Sequence, residues 1–322
     1  MVTATRPDDG ERVLDALRRL IDGRRTLVAG VDERVDRLAG LLSDFVLDGG
    51  KRMRPRFALA GWAAASDTDA PAPDEVVTAC AALELIQACA LVHDDIVDAS
   101  DTRRGRPTVH RTIEAAHCNE GWDGDAARYG VSQAILVGDL ALTWADEMFV
   151  TSGVPPEALA RALGPWYAMK TEVLSGQMLD ILAEASGATD ELTPARVNRF
   201  KTAAYTVERP LHIGAELAGA GAETVSALRE FGVAVGQAFS CGTTCWACSA
   251  TRRSPASPPG TTCGRASAPC CSPVRPPSPP ARTPSSSSAS SGRNPTRPRS
   301  NARAASSWSP VRWSRWRPRS TR

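Results

Sequence analysis

Apolar residues recur at helical spacing from Gly10 to Phe239, and alternating runs of β-branched residues, which would predict strands, are scarce. The spacing of three and four residues is clearest near the N-terminus, at Val13, Leu14, Leu17 and Leu20, and then at Leu38, Leu41, Leu42 and Phe45. The pattern therefore predicts an all-α fold, a large helical bundle.

Pro and Gly residues separate the longest predicted helices. One Ala-rich helix begins at Asp74 and runs to an acidic cluster at Asp94. Further helical stretches are predicted at Val131–Val150, Pro156–Ala185 and Thr193–Gly219.

The composition changes abruptly at residue 240. From Ser240 to Arg322 there is no Asp, Glu or Lys, but there are 14 Arg and 14 of the 24 Pro, so this part carries a charge of +14 against −12 for the rest. The sequence therefore predicts a helical domain over residues 1–239, followed by a disordered Arg/Ser/Pro-rich tail over residues 240–322.

Composition also excludes several classes of protein. The charged N-terminus is not that of a signal peptide, and no uninterrupted apolar run predicts a transmembrane segment. The body contains only Cys80, Cys89 and Cys118, which favours reduced thiols and a cytoplasmic location. The six tail cysteines match no standard zinc spacing, and the basic tail predicts no specific nucleic-acid partner.

The first candidate motif is HDDIVD, residues 93–98, followed by Arg103 and Arg104. Asp94 and Asp98 are four residues apart and share a helix face, where like charges are unfavourable unless a cation neutralises them. Mg²⁺ binds one or two carboxylates together with substrate phosphates, and Arg supplies planar donors for phosphate. The alternative is an acidic helix end beside solvated arginines.

Two further motifs are candidates for anion binding. In GGKRMRP a glycine turn brings Lys51, Arg52 and Arg54 together, although it could be only a basic turn at a helix end. Lys201 and Thr202 lie on a predicted helix whose other face carries Tyr205 and Arg209. On the preceding helix, GQMLD contains Gln177 and an Asp three residues later, which could be polar surface.

The order GGKRMRP, DDIVD with RRG, GQMLD and FKT resembles the polyprenyl diphosphate synthases, the trans-isoprenyl chain-elongating enzymes. The resemblance covers roughly Leu38 to Phe239. It implies an isoprenoid-synthase-type helical bundle, a homodimer, and a Mg²⁺-dependent prenyltransferase that joins isopentenyl diphosphate to an allylic diphosphate, as geranylgeranyl diphosphate synthases do.

The resemblance also implies roles for individual residues. Asp94 and Asp98 would bind Mg²⁺, with Asp95 supporting them. The remaining implied contacts to the allylic diphosphate and its site are Arg103, Lys201, Thr202 and Gln177. The implied contacts to isopentenyl diphosphate are Lys51, Arg54, Arg104 and Gln87, the last at a position where many relatives have His. The small Cys89 and Ala90 predict a product longer than fifteen carbons, geranylgeranyl diphosphate.

The second acidic motif of such enzymes, QLRDD, is expected directly after Phe239 but is absent. When each codon is rebuilt from the last base of one codon and the first two of the next, with suitable third bases, Ser240–Arg252 permits QLRDDLLGVFGDP. The run Ser254–Pro273 likewise permits TGKPAGDDLREGKRTVLLA. The sequence therefore predicts a single-base shift near codon 239.

Two other functions are compatible with part of the pattern. A terpene cyclase would share the first acidic motif, but it needs no isopentenyl diphosphate site, so Lys51, Arg54 and Arg104 argue against it. A non-catalytic protein that binds diphosphates or a partner subunit would need only the intact first part. The shifted chain would be impaired as an enzyme.

Resequencing the gene across codons 230–280 tests the frame shift. We expect one of two results. Either the new read differs from the reported sequence by one inserted or deleted base near codon 239, or it confirms the sequence and the gene itself has lost or gained one base there. A read that leaves no single-base change able to restore QLRDD would refute the shift.

Overall fold

The computed structural model describes residues 9–187 and 192–251, and this part of the chain is almost entirely helical, which confirms the all-α prediction. In chain order, the first five helices are α1 Asp9–Val31, α2 Glu33–Leu47, α3 Met53–Ala65, α4 Asp74–Val97 and α5 Val109–Glu120. They are followed by α6 Ala126–Val150, α7 Pro156–Ser186, α8 Leu192–Val197, a π-helix Asn198–Glu208, α9 Arg209–Ala218 and α10 Ala222–Thr251.

Three of the long helices lie where the hydrophobic pattern predicts them. Helices α4, α6 and α7 each end within three residues of the predicted C-terminus, and α6 begins a few residues early, at Ala126, directly after the capping residue Asp125. The stretch predicted as one helix at Thr193–Gly219 is instead divided by the π-helix, in which hydrogen bonds run from residue i to i+5.

Helix α4 lies at the centre of the core and packs against α1, α3 and α6. By length and composition alone α4 could cross a membrane, but 72% of its most apolar 18-residue segment is buried inside the fold. Packing against neighbouring helices therefore accounts for its hydropathy.

A two-stranded hairpin follows α4, and the sequence analysis did not predict it. Strand β1, Thr102–Arg103, pairs antiparallel with β2, Arg106–Pro107. Arg104 and Gly105 form the turn, and both have positive φ, at 54° and 77°, as the central residues of a type I′ turn do. The hairpin turns the chain back towards the end of α4.

The π-helix packs directly on α7 at Gly176. A Cβ atom added at Gly176 would lie 2.6 Å from the backbone nitrogen of Lys201, closer than real side chains approach. The absence of a side chain at Gly176 therefore sets the distance between α7 and the part of the π-helix that carries Lys201.

Helix α10 continues to Thr251, past residue 239, where the sequence places the domain boundary. Residues 252–322 lie outside the described part of the chain. The division into a domain over 1–239 and a disordered tail over 240–322 therefore stays a prediction.

Gly176→Ala should lower the free energy of unfolding by about 1–3 kcal/mol, because overpacking forces α7 and the π-helix apart. Gly164→Ala on the same helix is the matched control, since an added Cβ there meets nothing within 4 Å. That control should be neutral or stabilise the fold by up to about 1 kcal/mol, since Ala favours helix more than Gly does. Chemical denaturation followed by circular dichroism measures both, and equal effects at the two positions would contradict the close packing.

Candidate active site

Three carboxylates crowd the C-terminal end of α4. Asp94 and Asp95 lie in its last turn, and Asp98 is the capping residue that follows it. The side chain of Asp95 is 1% exposed and that of Asp94 is 24% exposed. A helix C-terminus carries partial negative charge, so anionic groups there are unfavourable unless cations approach them.

Arg103 of β1 is one such cation. Its Nε donates to both carboxylate oxygens of Asp95, at 2.8 and 2.9 Å, and its Nη2 lies 3.5 Å from Asp94 Oδ2. Burial alone would lower the pKa of Arg103, but the hydrogen bonds to Asp95 and the surrounding carboxylate charges outweigh it, and the pKa is raised. Arg103 is therefore held as a cation beside Asp94.

Lys201 approaches the same carboxylates from the π-helix. Its Nζ donates to Asp180 Oδ2 at 2.7 Å and lies 3.4 Å from Asp94 Oδ1. Burial would lower the pKa of Lys201, but Asp180 and the charges of Asp94 and Asp98 raise it overall. Asp180, the acidic residue of GQMLD, thus belongs to this cluster, although the sequence left it as candidate polar surface.

The carboxylates fit a hard cation only in part. Asp94 Oδ1 is buried and accepts no hydrogen bond from the described residues, although Lys201 Nζ lies 3.4 Å away, so it keeps lone pairs for a further positive ion. Within residues 9–187 and 192–251, however, no cluster of three or more His, Cys, Asp or Glu side chains is arranged to hold a metal. The residues therefore suit Mg²⁺ that takes most of its ligands from water and from phosphate oxygens.

The basic turn divides its cations between two tasks. Arg52 has a left-handed backbone, with φ of 49°, and its guanidinium donates to the carbonyls of Val46 and Leu47 at the end of α2. It also forms a buried ion pair with Glu84 of α4, at 3.0 Å. The charge of Arg52 is therefore neutralised within the fold, and the residue fixes the turn against α2 and α4.

The other cations of the site have no carboxylate partner among the described residues. Lys51 is exposed, and Arg104 reaches back towards Gly49 and Gly50 from the hairpin turn. Arg54 donates from Nη2 to Thr206 Oγ1 at 2.9 Å, and its Nε is buried with no hydrogen-bond partner among residues 9–187 and 192–251. These three side chains leave positive charge available to an anion.

Gln87 connects the two sides of the site. It lies on α4 between Glu84 and Asp94, and its Oε1 accepts a hydrogen bond from the Tyr205 hydroxyl at 2.5 Å. The sequence placed Tyr205 on the opposite face from Lys201, and this was wrong, because both side chains contact α4. Residues four apart on a helix share a face, so their spacing already indicated the observed arrangement.

Gln177 and Thr202, the two remaining candidates from the sequence, make fewer contacts. Gln177 follows Gly176 on α7, and Thr202 follows Lys201 on the π-helix, so both lie near the acidic cluster. Each is half-buried, and neither makes a side-chain hydrogen bond in the described part of the chain. Their roles as substrate contacts stay predictions.

A cavity of about 630 Å³ opens between α2 and the hairpin. Arg103 and Arg104 line it together with Arg106, but Asp44 and Asp48 of the α2 segment line it as well. Asp94, Asp98 and Lys201 do not, so this cavity adjoins the charged cluster without containing it.

The polyprenyl synthetase family model matches residues 35–242 of the chain. The geranylfarnesyl diphosphate synthase of Natronomonas pharaonis is 32% identical over 210 residues, which cover 61% of this chain and 57% of that protein. The geranylgeranyl diphosphate synthase of Methanosarcina mazei is 30% identical over 230 residues, covering 68% and 64%.

Solved structures give the same result. A geranylgeranyl pyrophosphate synthase from Corynebacterium glutamicum, complexed with isoprenyl diphosphate and magnesium, is 46% identical with a TM-score of 0.70. The match covers 73% of this chain and 66% of that one, so the chain spans less than two thirds of the length of each of these relatives. The match to the family model over most of the chain, together with the shared fold, shows that the chain belongs to the polyprenyl synthetase family.

Proposed function

We propose that the chain is a Mg²⁺-dependent prenyltransferase by descent, built to join isopentenyl diphosphate to an allylic diphosphate. One observation carries the proposal: Arg54, which has no carboxylate partner among the described residues, stacks on Tyr205, and Tyr205 contacts α4 at Gln87 close enough to feel the charge of Asp94. Two diphosphates and a divalent cation would neutralise both groups of charges. Two observations on relatives support this proposal. The related proteins from Natronomonas pharaonis and Methanosarcina mazei are named prenyl diphosphate synthases, and the Corynebacterium glutamicum structure contains magnesium.

The donor, isopentenyl diphosphate, is proposed to bind to the basic side. Lys51, Arg54 and Arg104 would hold its diphosphate, and the amide of Gln87 would donate one hydrogen bond to it. The buried Arg54 Nε, which has no partner in the described chain, supports this placement, since such a group costs free energy unless an acceptor reaches it.

The allylic diphosphate is proposed to bind on the acidic side. Asp94 and Asp98 would hold Mg²⁺, with Asp95 holding Arg103 in place, and Lys201, Arg103, Thr202 and Gln177 would surround the diphosphate. Lys201 is already cationic and adjacent to Asp94. A phosphate group of the substrate would replace Asp180 as the ion-pair partner of Lys201.

The reaction follows from this distribution of charge. Bound Mg²⁺ would stabilise the negative charge of the departing diphosphate. Lys201 and Arg103 add fixed positive charge at the same place, so the allylic carbon–oxygen bond can ionise. The double bond of isopentenyl diphosphate attacks the resulting carbocation, a new carbon–carbon bond forms, and the released diphosphate takes the proton that is lost.

The growing chain is proposed to run along α4, away from Asp94. Cys89 is buried and Ala90 half-buried, five and four residues before Asp94, and both are small. Burial raises the pKa of the Cys89 thiol to about 12, so this wall is uncharged at neutral pH. We therefore propose a product longer than fifteen carbons, geranylgeranyl diphosphate.

The chain as written is proposed to be impaired. It has no Asp or Glu after residue 239, so the acidic wall expected on the facing helix is missing. The family match ends at residue 242, close to the proposed shift of frame. This observation also favours a second candidate function for the literal chain, non-catalytic binding of diphosphates or of a partner subunit. A homodimer, implied by the resemblance, stays a proposal.

Three full-length chains test the proposal: the chain as written, a chain restored to QLRDD by a single-base change, and the restored chain with Asp94→Asn and Asp98→Asn. With labelled isopentenyl diphosphate, farnesyl diphosphate and Mg²⁺, the restored chain should make a twenty-carbon product. Each of the other two should be at least about 100-fold slower, since each lacks part of the charge that stabilises the leaving diphosphate.

Asp101→Asn in the restored chain is the matched control. Asp101 is a nearby carboxylate whose 76% exposed side chain pairs with Arg111, so its loss should leave turnover unchanged. Comparable turnover by the chain as written would contradict the impairment. Unchanged turnover after substitution of Asp94 and Asp98 would contradict the proposed metal ligands.

A further inference from the structure

We infer that Tyr205 is a positioning residue that orients the amide of Gln87 towards the diphosphate of the donor substrate. The inference rests on the donor site proposed above and assigns a part of it that the sequence did not. Tyr205 lies on the π-helix and Gln87 on α4, 118 residues apart, and the Tyr205 hydroxyl donates to Gln87 Oε1 at 2.5 Å.

The bond selects one of two orientations of the amide. A glutamine side chain can rotate to exchange its accepting oxygen with its donating nitrogen. Because the Tyr205 hydroxyl donates to the oxygen, the NH₂ group must point away from Tyr205. That NH₂ group makes no hydrogen bond within the described residues, so both of its protons remain available to an acceptor such as a phosphate oxygen.

The hydroxyl of Tyr205 remains a donor under ordinary conditions. Tyr205 is buried, with only 7% of its surface exposed. Burial raises its pKa and outweighs the opposing effect of Arg54, so the phenol stays protonated at neutral pH. A protonated hydroxyl needs an acceptor, and Gln87 Oε1 supplies it.

The ring of Tyr205 also supports Arg54. The guanidinium carbon of Arg54 lies 4.0 Å from the ring centroid, and Arg54 Nη2 donates to Thr206 next along the π-helix. A guanidinium is attracted to the electron-rich face of an aromatic ring, which favours this position of Arg54 over others. One aromatic side chain thus positions two of the proposed contacts to the donor, one through its ring and one through its hydroxyl.

Tyr205→Phe separates these two roles, because it keeps the ring and removes the hydroxyl. Isothermal titration of isopentenyl diphosphate into the full chain as written, without metal, measures the donor site alone. We expect Tyr205→Phe to weaken binding about fivefold, the effect of one ordinary hydrogen bond. Tyr167→Phe on α7 is the matched control, since Tyr167 is 52% exposed and outside the site, and it should bind as the unaltered chain does.

A double-mutant cycle distinguishes positioning from a purely structural role. Gln87→Met keeps the approximate volume but removes the amide, so Tyr205→Phe should cost no further affinity in that background. A structural role would weaken binding by the same factor whether residue 87 is Gln or Met. Thermal unfolding of each variant checks that the fold is retained.

Each outcome decides between the inference and the function on which it rests. No binding of isopentenyl diphosphate by the unaltered chain would overturn both the proposed donor site and the role of Tyr205. Binding that is insensitive to Tyr205→Phe, or equally sensitive in both backgrounds, would overturn the role of Tyr205 and leave the donor site standing. Fivefold weakening that disappears with Gln87→Met supports the inference.

Discussion

The concentration of negative charge at the C-terminal end of α4 is the constraint on which the rest of the site depends. Asp94, Asp95 and Asp98 repel one another there and also face the negative end of the helix dipole. The fold compensates by bringing Arg103 from the hairpin and Lys201 from the π-helix to this point. The tight turn of the hairpin and the close packing at Gly176 both serve that placement.

The cations on the other side of the site differ in how their charge is used. Arg52 pairs with Glu84 and donates to a carbonyl at the end of α2. These contacts hold Arg52 itself in a left-handed backbone conformation that a non-glycine residue seldom adopts. Lys51 and Arg54, which have no carboxylate partner in the described part of the chain, extend from that fixed turn. The fold thus sets paired cations beside the carboxylates of α4 and leaves other cations, at the basic turn, without a carboxylate partner among the described residues, which is the distribution of charge that the proposed function uses.

Much of this arrangement could be predicted from the sequence, because it depends on local patterns. The apolar periodicity gave the bounds of α4, α6 and α7 closely, and the spacing of Asp94 and Asp98 indicated a shared face. The π-helix was missed because its hydrogen-bond pattern is stabilised by packing against α7 and α10, which no local pattern records. The contact of Tyr205 with Gln87 joins residues far apart in sequence, and the pairing of Lys201 with Asp180 likewise required the tertiary fold.

A crystal structure of the full chain grown with isopentenyl diphosphate tests the central division of charge most directly. The diphosphate should lie among Lys51, Arg54 and Arg104, with the Gln87 nitrogen directed at one of its oxygens. A diphosphate bound instead in the cavity between α2 and the hairpin, with Lys51 and Arg54 not contacting it, would contradict the proposed site.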